Sequence, residues 1–239
     1  MQKISLKNKT AVVTGASKGI GRAVAIALAK EGVNVVLAAR NAELLRSVEH
    51  EITAAGGNAF SVPTDITSEQ SVEQLIRETQ KQFSSVDILV NNAGVGIFSN
   101  VVDMSVAQYD EMMNVNLKGV FLTCRAVIPL MMKQQHGEVI NIASLAGKNS
   151  FPGGSVYAAS KWGLIGFARS LMPEVREYNI RIVTISPGSV NTTFAENEKE
   201  NPNIVQPEDV AETVLFALTM PGRSNVSEID IRPTLKPKK

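Results

Sequence analysis

Apolar residues along this chain follow two alternating rhythms. Short unbroken runs such as Ala11-Val12-Val13 and Val35-Val36-Leu37 read as strands buried on both faces, since a strand covered on one side would alternate apolar with polar positions. Longer stretches in which apolar residues return every three or four positions read as helices with one covered face. In chain order the pattern predicts strands over 10–13, 33–39, 58–62, 87–90, 138–142, 181–185 and 226–231. It predicts helices over 20–30, 42–55, 68–83, 109–132, 156–177 and 207–218. Punctuation agrees: Gly56-Gly57 stops one helix, Ser68 can cap the next, and Pro207 suits a first helical turn. Pro129 falls inside the 109–132 stretch and is expected to kink or divide it.

Strands separated by helices need right-handed crossovers and therefore pair in parallel. The expected fold class is α/β, a single-domain, Rossmann-type doubly wound parallel sheet of about seven strands with helices on both faces. The 239 residues, 44% of them hydrophobic, suffice for one large core, and no Pro/Gly/Ser-rich linker or charge block divides them, so one domain over 1–239 is expected.

Charge and cysteine usage narrow the possibilities. A formal net charge of +1 argues against an electrostatically driven nucleic-acid binder, and Lys236, Lys238 and Lys239 read as a short solvated tail. The lone Cys124 excludes an intrachain disulfide and reads as a small core residue. His50 and His136 lack metal-ligand spacing and read as surface residues near helix ends, so no metal is expected. Residues 1–7 lack a secretory apolar core, and no apolar run approaches the ~18 residues of a membrane span. A soluble cytoplasmic protein with no membrane partner is expected.

Chemistry gathers at the predicted carboxyl ends of the strands. The first strand runs into Thr14-Gly15-Ala16-Ser17-Lys18-Gly19-Ile20-Gly21 and then directly into a helix. That combination seats a pyrophosphate, because backbone N–H groups and the helix N-terminus face the anion while glycines allow tight dihedrals and close approach. Tyr157 and Lys161 stand four residues apart in Ser155-Val156-Tyr157-Ala158-Ala159-Ser160-Lys161, so a helix stacks them on one face. A tyrosine releases its proton at pKa ~10, and a nearby cation favours the phenolate; lowering that value by ~3 units takes roughly 4 kcal/mol. The pair reads as an acid for a carbonyl oxygen. Alone, the spacing is common on solvated helices. Asn91-Asn92-Ala93-Gly94 after the fourth strand, Ser144 after the fifth and Pro187-Gly188 after the sixth fall at the same end of the sheet, where ligands bind in such folds.

Together these residues resemble the short-chain dehydrogenase/reductase family over nearly the whole chain, with a likeness to 3-oxoacyl-thioester reductases and general carbonyl reductases. The resemblance implies that Gly15, Ser17, Lys18, Gly19, Ile20 and Gly21 hold the cofactor phosphates, that Asp65 and Ile66 border the adenine, and that Asn92, Ala93 and Gly94 line the central sheet. It places Pro187, Gly188, Val190 and Thr192 beside the nicotinamide, with Thr192 on its carboxamide. For Asp65 and Thr192 loop capping is the rival reading. The catalytic set implied is Ser144 holding the substrate carbonyl, Tyr157 donating a proton, Lys161 holding the ribose and tuning Tyr157, and Asn116 helping to hold a water in a proton relay. Asn116 also reads as a helix-interior asparagine satisfying a kinked backbone.

Cofactor choice follows from one loop. A carboxylate gripping both ribose hydroxyls of NAD would stand near the end of the second strand, but the chain has Ala38-Ala39-Arg40-Asn41 there. Arg40 and Lys18 can instead meet a 2′-phosphate, with Asn41 beside them, which favours NADP(H). The expected activity is hydride transfer between NADP(H) and a carbonyl or alcohol; the alternative is a non-catalytic NADP(H)-binding regulator. Ile97, Phe98, Phe151 and Phe194 read either as the lining of an apolar substrate pocket or as ordinary packing residues.

Two departures from the family pattern bear on substrate and assembly. The segment 193–205 is short and charged, with Glu196, Glu198, Lys199 and Glu200, and the chain ends on Arg232-Pro233-Thr234-Leu235-Lys236-Pro237 in place of a glycine-rich strand. The helical regions 109–132 and 156–177 correspond to the family's four-helix dimer interface, and carry Val120, Phe121, Val127, Trp162, Phe167 and Leu171 on more than one face. A homodimer is expected, and a homotetramer is less assured because proline blunts strand edges.

Overall fold

Seven strands form one parallel sheet in the order β3-β2-β1-β4-β5-β6-β7 in a computed structural model that describes residues 4–192, 194 and 201–234. The strands are β1 (Thr10–Thr14), β2 (Asn34–Ala39), β3 (Asn58–Pro63), β4 (Ile88–Asn91), β5 (Gly137–Ile142), β6 (Ile180–Pro187) and β7 (Glu228–Ile231). The helices are α1 (Gly19–Lys30), α2 (Ala42–Ala54), α3 (Glu69–Phe83), α4 (Val106–Met113), α5 (Gly119–Gln134), α6 (Ser155–Val175) and α7 (Pro207–Leu218). The charged acids at 196, 198 and 200, Lys199 and the C-terminal lysines lie outside the described residues.

Unbroken apolar runs make central strands here because each face has its own helix layer. Ala11, Val13, Val35, Leu37, Ile88 and Val90 join a core with α1, α2 and α7, whereas Val12, Val36 and Leu89 point into a second core with α3, α5 and α6. Register keeps the alternation aligned: Val12 stands between Val36 of β2 and Leu89 of β4. Chain direction across the sheet reverses between β1 and β4, so the glycine turn after β1 and the Asn91-Asn92-Ala93-Gly94 segment after β4 open onto one crevice.

The long helical region departs from expectation. It starts at Val106, where Ser105 and Gln108 form a capping box, and its break is a π-turn over Asn114–Lys118, not Pro129. Helix α5 runs through Pro129, because that residue and Arg125, whose carbonyl the ring leaves without an amide, both lie on the exposed face where water can serve. The continuous stretch Val106–Gln134 contains an 18-residue window long and apolar enough to cross a bilayer, contrary to the expectation of no such run. Half of that window is buried within the fold, which gives its apolarity a use against the sheet and α6.

Polar groups tie the amino ends of the strands. Arg181 on β6 is buried, reaches Glu138 on β5 at 2.6 Å and donates to the carbonyls of Leu218, Met220 and Ser224. His136, expected at the surface, is only partly exposed: its Nε2 lies 2.9 Å from Asp87 Oδ1, beside the Asp87 bond to the Thr10 amide at 2.8 Å. Cys124 is buried as expected, and burial pushes its thiol up to about 12.

Candidate active site

The glycine turn after β1 is shaped for a closely approaching ligand. Gly15 and Gly19 adopt φ +66° and +55°, in the left-handed region where L side chains are strained. A Cβ on Gly21 would sit 2.3 Å from the Gly15 carbonyl oxygen, and one on Gly15 would sit 2.8 Å from Ala93 Cα. Thr14 Oγ1 accepts from the Asn92 and Ala93 amides at 3.0 and 3.1 Å, and Asn92 Nδ2 donates to the Thr14 carbonyl, so the turn and the segment after β4 are welded together. The first turn of α1 carries no acidic residue, and no side chain at its N-cap accepts from the first-turn amides. Its amides thus face the crevice with a positive field.

One cleft of about 1300 Å³ runs along the carboxyl ends of the strands. Its outer end is lined by Ser17, Lys18, Arg40, Asn41, Asp65 and Ile66, its middle by Gly15, Gly19, Ile20, Asn92, Ala93 and Gly94, and its inner end by Ser144, Tyr157 and Lys161. Pro187, Gly188, Val190 and Thr192 line it from β6. Gly21 is buried behind the turn and serves packing. Two outer residues also hold their own loops: Asn41 Oδ1 caps α2 through the Leu44 amide at 3.0 Å, and Asp65 Oδ1 accepts from the Thr67 amide and hydroxyl at 2.9 and 2.8 Å. Those bonds, with the Arg40 guanidinium a lesser contributor, hold the Asp65 carboxyl below its usual range. Thr192 lies against the glycine turn, its methyl 3.3 Å from where a Gly19 Cβ would stand.

Helix α6 stacks Tyr157 and Lys161 as their spacing requires, both buried. The ammonium donates to the Ile142 carbonyl at 3.1 Å and stands 5.9 Å from the centre of the Tyr157 ring. Electrostatics here differ from the sequence expectation. Burial raises the Tyr157 phenol above its ordinary value, against an opposing hydrogen bond to Ser144, and burial pulls Lys161 down to about 8. Desolvation is the larger influence on both groups, and the buried ammonium is turned toward a carbonyl.

Asn116 is brought near this pair but not into the cleft wall. It sits wholly buried in the π-turn, its Oδ1 accepting from the Val95 amide at 2.8 Å and its Nδ2 donating to the Val95 carbonyl and to Ser160 Oγ, each at 2.9 Å. Both amide hydrogens are committed to Val95 and Ser160, so the side chain braces the loop after β4 against α6. It satisfies the loop after β4, not the backbone of its own helix. Sequence reasoning passed over Ser160, whose hydroxyl donates to the Tyr157 carbonyl at 2.7 Å; its place three residues after Tyr157 on the same helix was the available signal.

Phe98, Phe151 and Phe194 line the inner end, in keeping with the pocket reading, whereas Ile97 is not among the lining residues. Leu145, Arg232, Pro233 and Thr234 also line it and were not anticipated. Pro233 reaches the site because the Gly188 amide donates to the Ile231 carbonyl at 2.8 Å, which docks the end of β7 on β6.

A nicotinamide dinucleotide fits this cleft: bare glycine backbone and a helix N-terminus stand at its middle, two cationic side chains at one end and a buried phenol at the other. A family model described as short chain dehydrogenase matches residues 9–203. An uncharacterised oxidoreductase of Staphylococcus aureus (strain USA300) is 40% identical over 230 residues, covering 95% of this chain and 98% of the relative. One from Staphylococcus epidermidis is 34% identical over 232 residues, with 95% and 98% covered. Among solved structures, a metagenomic short-chain oxidoreductase in complex with NADP superposes with a TM-score of 0.87 at 41% identity, covering 98% of this chain and 100% of that one. An alcohol dehydrogenase from the archaeon Thermococcus sibiricus, complexed with 5-hydroxy-NADP, gives 0.90 at 31% identity over 97% and 99%.

Proposed function

Because the chain belongs to the short-chain dehydrogenase family and is an oxidoreductase of that type, we propose that it is an NADP(H)-dependent carbonyl reductase acting on a ketone, aldehyde or 3-oxoacyl thioester. The observation that carries this reading is the buried Tyr157 phenol, hydrogen-bonded to Ser144 and neighboured by a buried ammonium, at the inner end of a dinucleotide-sized cleft.

The glycine turn and the first turn of α1 would hold the pyrophosphate, Lys18 and Arg40 a 2′-phosphate, and Asp65 with Ile66 the adenine end. Two solved relatives carry NADP or a derivative of it, which agrees with that choice. When bound, the nicotinamide supplies a hydride, an electron pair with one hydrogen, to the carbonyl carbon. Ser144 Oγ donates to the substrate oxygen and holds it beside the phenol. Tyr157 keeps its proton until negative charge builds on that oxygen, then passes it across; a raised pKa suits a group that must arrive protonated. Lys161, at about 8, is largely charged near neutrality and stabilises the phenolate left behind. Asn116 and Ser160 position the elements that carry these groups.

We also infer a homodimer at least. Val106 and Tyr109 on α4, Phe121 on α5 and Trp162 on α6 are exposed large apolar residues on helices of which α4 and α5 both pack against α6.

The test is NADPH oxidation by purified protein against a panel of ketones, aldehydes and 3-oxoacyl thioesters. Tyr157→Phe should lose ~10²-fold or more in turnover while still binding NADPH, because only the proton donor is removed. Near-wild-type turnover in that variant would rule out the proposed acid. NADPH binding without oxidation by any carbonyl would turn the reading to a regulatory nucleotide-binding protein.

A further inference from the structure

We propose that Phe98, Phe151 and Phe194 form a specificity clamp around Tyr157 that takes the flat ring of an aromatic ketone or aldehyde, an assignment that rests on the carbonyl reduction proposed above. The chain is poor in aromatic residues, 5%, with eight phenylalanines. Yet every ring-to-ring contact among the described residues lies in this one cluster. Phe98 meets Tyr157 edge-on at 5.4 Å and 77°, Phe194 meets Tyr157 at 5.9 Å and 58°, and Phe151 meets Phe98 at 5.8 Å and 56°.

Core packing does not account for these rings. Phe98, Phe151 and Phe194 are 45%, 42% and 40% exposed, whereas Tyr157 is 8% exposed. Apolar surface left open at the inner end of a cleft is surface for a ligand to cover. Two glycines make the places the rings occupy. A Cβ on Gly96 would lie 2.4 Å from Phe194 Cε1, and one on Gly154 would lie 2.2 Å from Phe151 Cζ, so only bare backbone lets either ring lie where it does. The loop presenting Phe151 is also fixed from behind. Lys148 Nζ reaches Glu228 at 2.7 Å and Asp230 at 2.8 Å, binding that loop to β7.

A flat ring suits this wall better than a flexible acyl chain does. Tilted rings present both faces and edges, which match the face and edge of an aromatic guest, and a ring has few rotors to freeze on binding. The phenol is itself a member of the cluster, so a guest ring attached directly to the carbonyl carbon can rest on these rings with its oxygen beside the phenol. The overall change is aromatic carbonyl plus NADPH plus a proton giving the benzylic alcohol plus NADP⁺.

The test compares kcat/KM for acetophenone with that for the straight-chain methyl ketone of equal carbon number, and for a 3-oxoacyl thioester. Wild-type protein should favour the aromatic ketone by about 10-fold or more, and Phe98→Leu and Phe151→Leu should each reduce that ratio by about 10-fold. Leucine keeps the site apolar, and thermal melts of both variants check that folding is retained. A second readout needs no turnover: saturation-transfer NMR on the NADP⁺-loaded protein should show 1-phenylethanol receiving magnetisation mainly through its ring protons, and less so in the variants. Equal rates on aromatic and straight-chain ketones, with a ratio unmoved by either substitution, would overturn the clamp and leave the reductase reading standing. Absence of turnover with every carbonyl, while NADPH still binds, would overturn the reductase reading and the clamp with it.

Discussion

Asn116 Nδ2 donates to Ser160 Oγ at 2.9 Å, and that bond joins the π-turn between α4 and α5 to the helix carrying the proposed acid. Ser160 passes the constraint on, since its hydroxyl donates to the Tyr157 carbonyl at 2.7 Å. Ser160→Ala would leave a buried amide hydrogen of Asn116 without a partner, at a cost of ~1–3 kcal/mol in stability. The expected kinetic outcome is a fall in kcat of about 10-fold with the dissociation constant of NADPH changed by less than about 2-fold. Fluorescence titration beside steady-state kinetics would check this split; a purely structural role would leave kcat per folded molecule unchanged.

Cofactor choice can be reversed at a single position. Arg40 and Lys18 line the outer end of the cleft, and Asp65 holds its own loop there through Thr67. Arg40→Asp removes a charge-assisted contact to the 2′-phosphate and adds a repulsion, so the preference for NADPH over NADH should fall by about 100-fold. Specificity constants for both cofactors measure it, and an unchanged ratio would sink the assignment.

Acid should loosen the edge of the sheet. The Arg169 guanidinium and then the Lys148 ammonium pull the Glu228 carboxyl from its ordinary 4.5 to about 2. A carboxylate lowered in the folded state contributes stability above its unfolded value and loses that contribution as pH falls from 4.5 through about 2. Arg169 is well exposed and water screens the pair, so the contribution is small. Glu228→Gln should therefore unfold more easily than wild type at about pH 6 and approach it at about pH 3, as read from urea titrations.

Assembly has its own test. If the exposed apolar residues of α4, α5 and α6 meet a second copy, light scattering should report at least twice the 25.7 kDa chain mass at micromolar concentration. Trp162→Glu or Phe121→Glu should shift the protein toward monomer, because a buried unpaired charge at an interface is costly. A wild-type monomer at that concentration would overturn the inference.

Much of the fold was legible because parallel strands buried on both faces leave unbroken apolar runs, and Val35-Val36-Leu37 filled two cores as such a run must. The stacking of Tyr157 and Lys161 was legible for a similar reason: helical periodicity alone sets it. Pro129 misled because propensity counts a missing donor and a ring clash without knowing that both fall on the wet face of α5. The π-turn has no comparable local signature; it exists because Asn116 finds partners on Val95 and Ser160, both distant in the chain. The raised Tyr157 phenol escaped prediction because a count of neighbouring charges contains no measure of burial.

Insertion of one residue into an α-helix advances everything after it by about 100° around the axis. The π-turn over Asn114–Lys118 is such an insertion, and so it sets the phase of α5 independently of α4. Val120, Cys124, Val127 and Met131 form the inward stripe of α5 only in the present phase. Deleting one residue from the turn would restore regular hydrogen bonding yet carry Phe121 and Arg125 round toward the sheet. The irregular turn is thus a gear tooth between two helices, letting α4 present one side to solvent while α5 keeps another against the core.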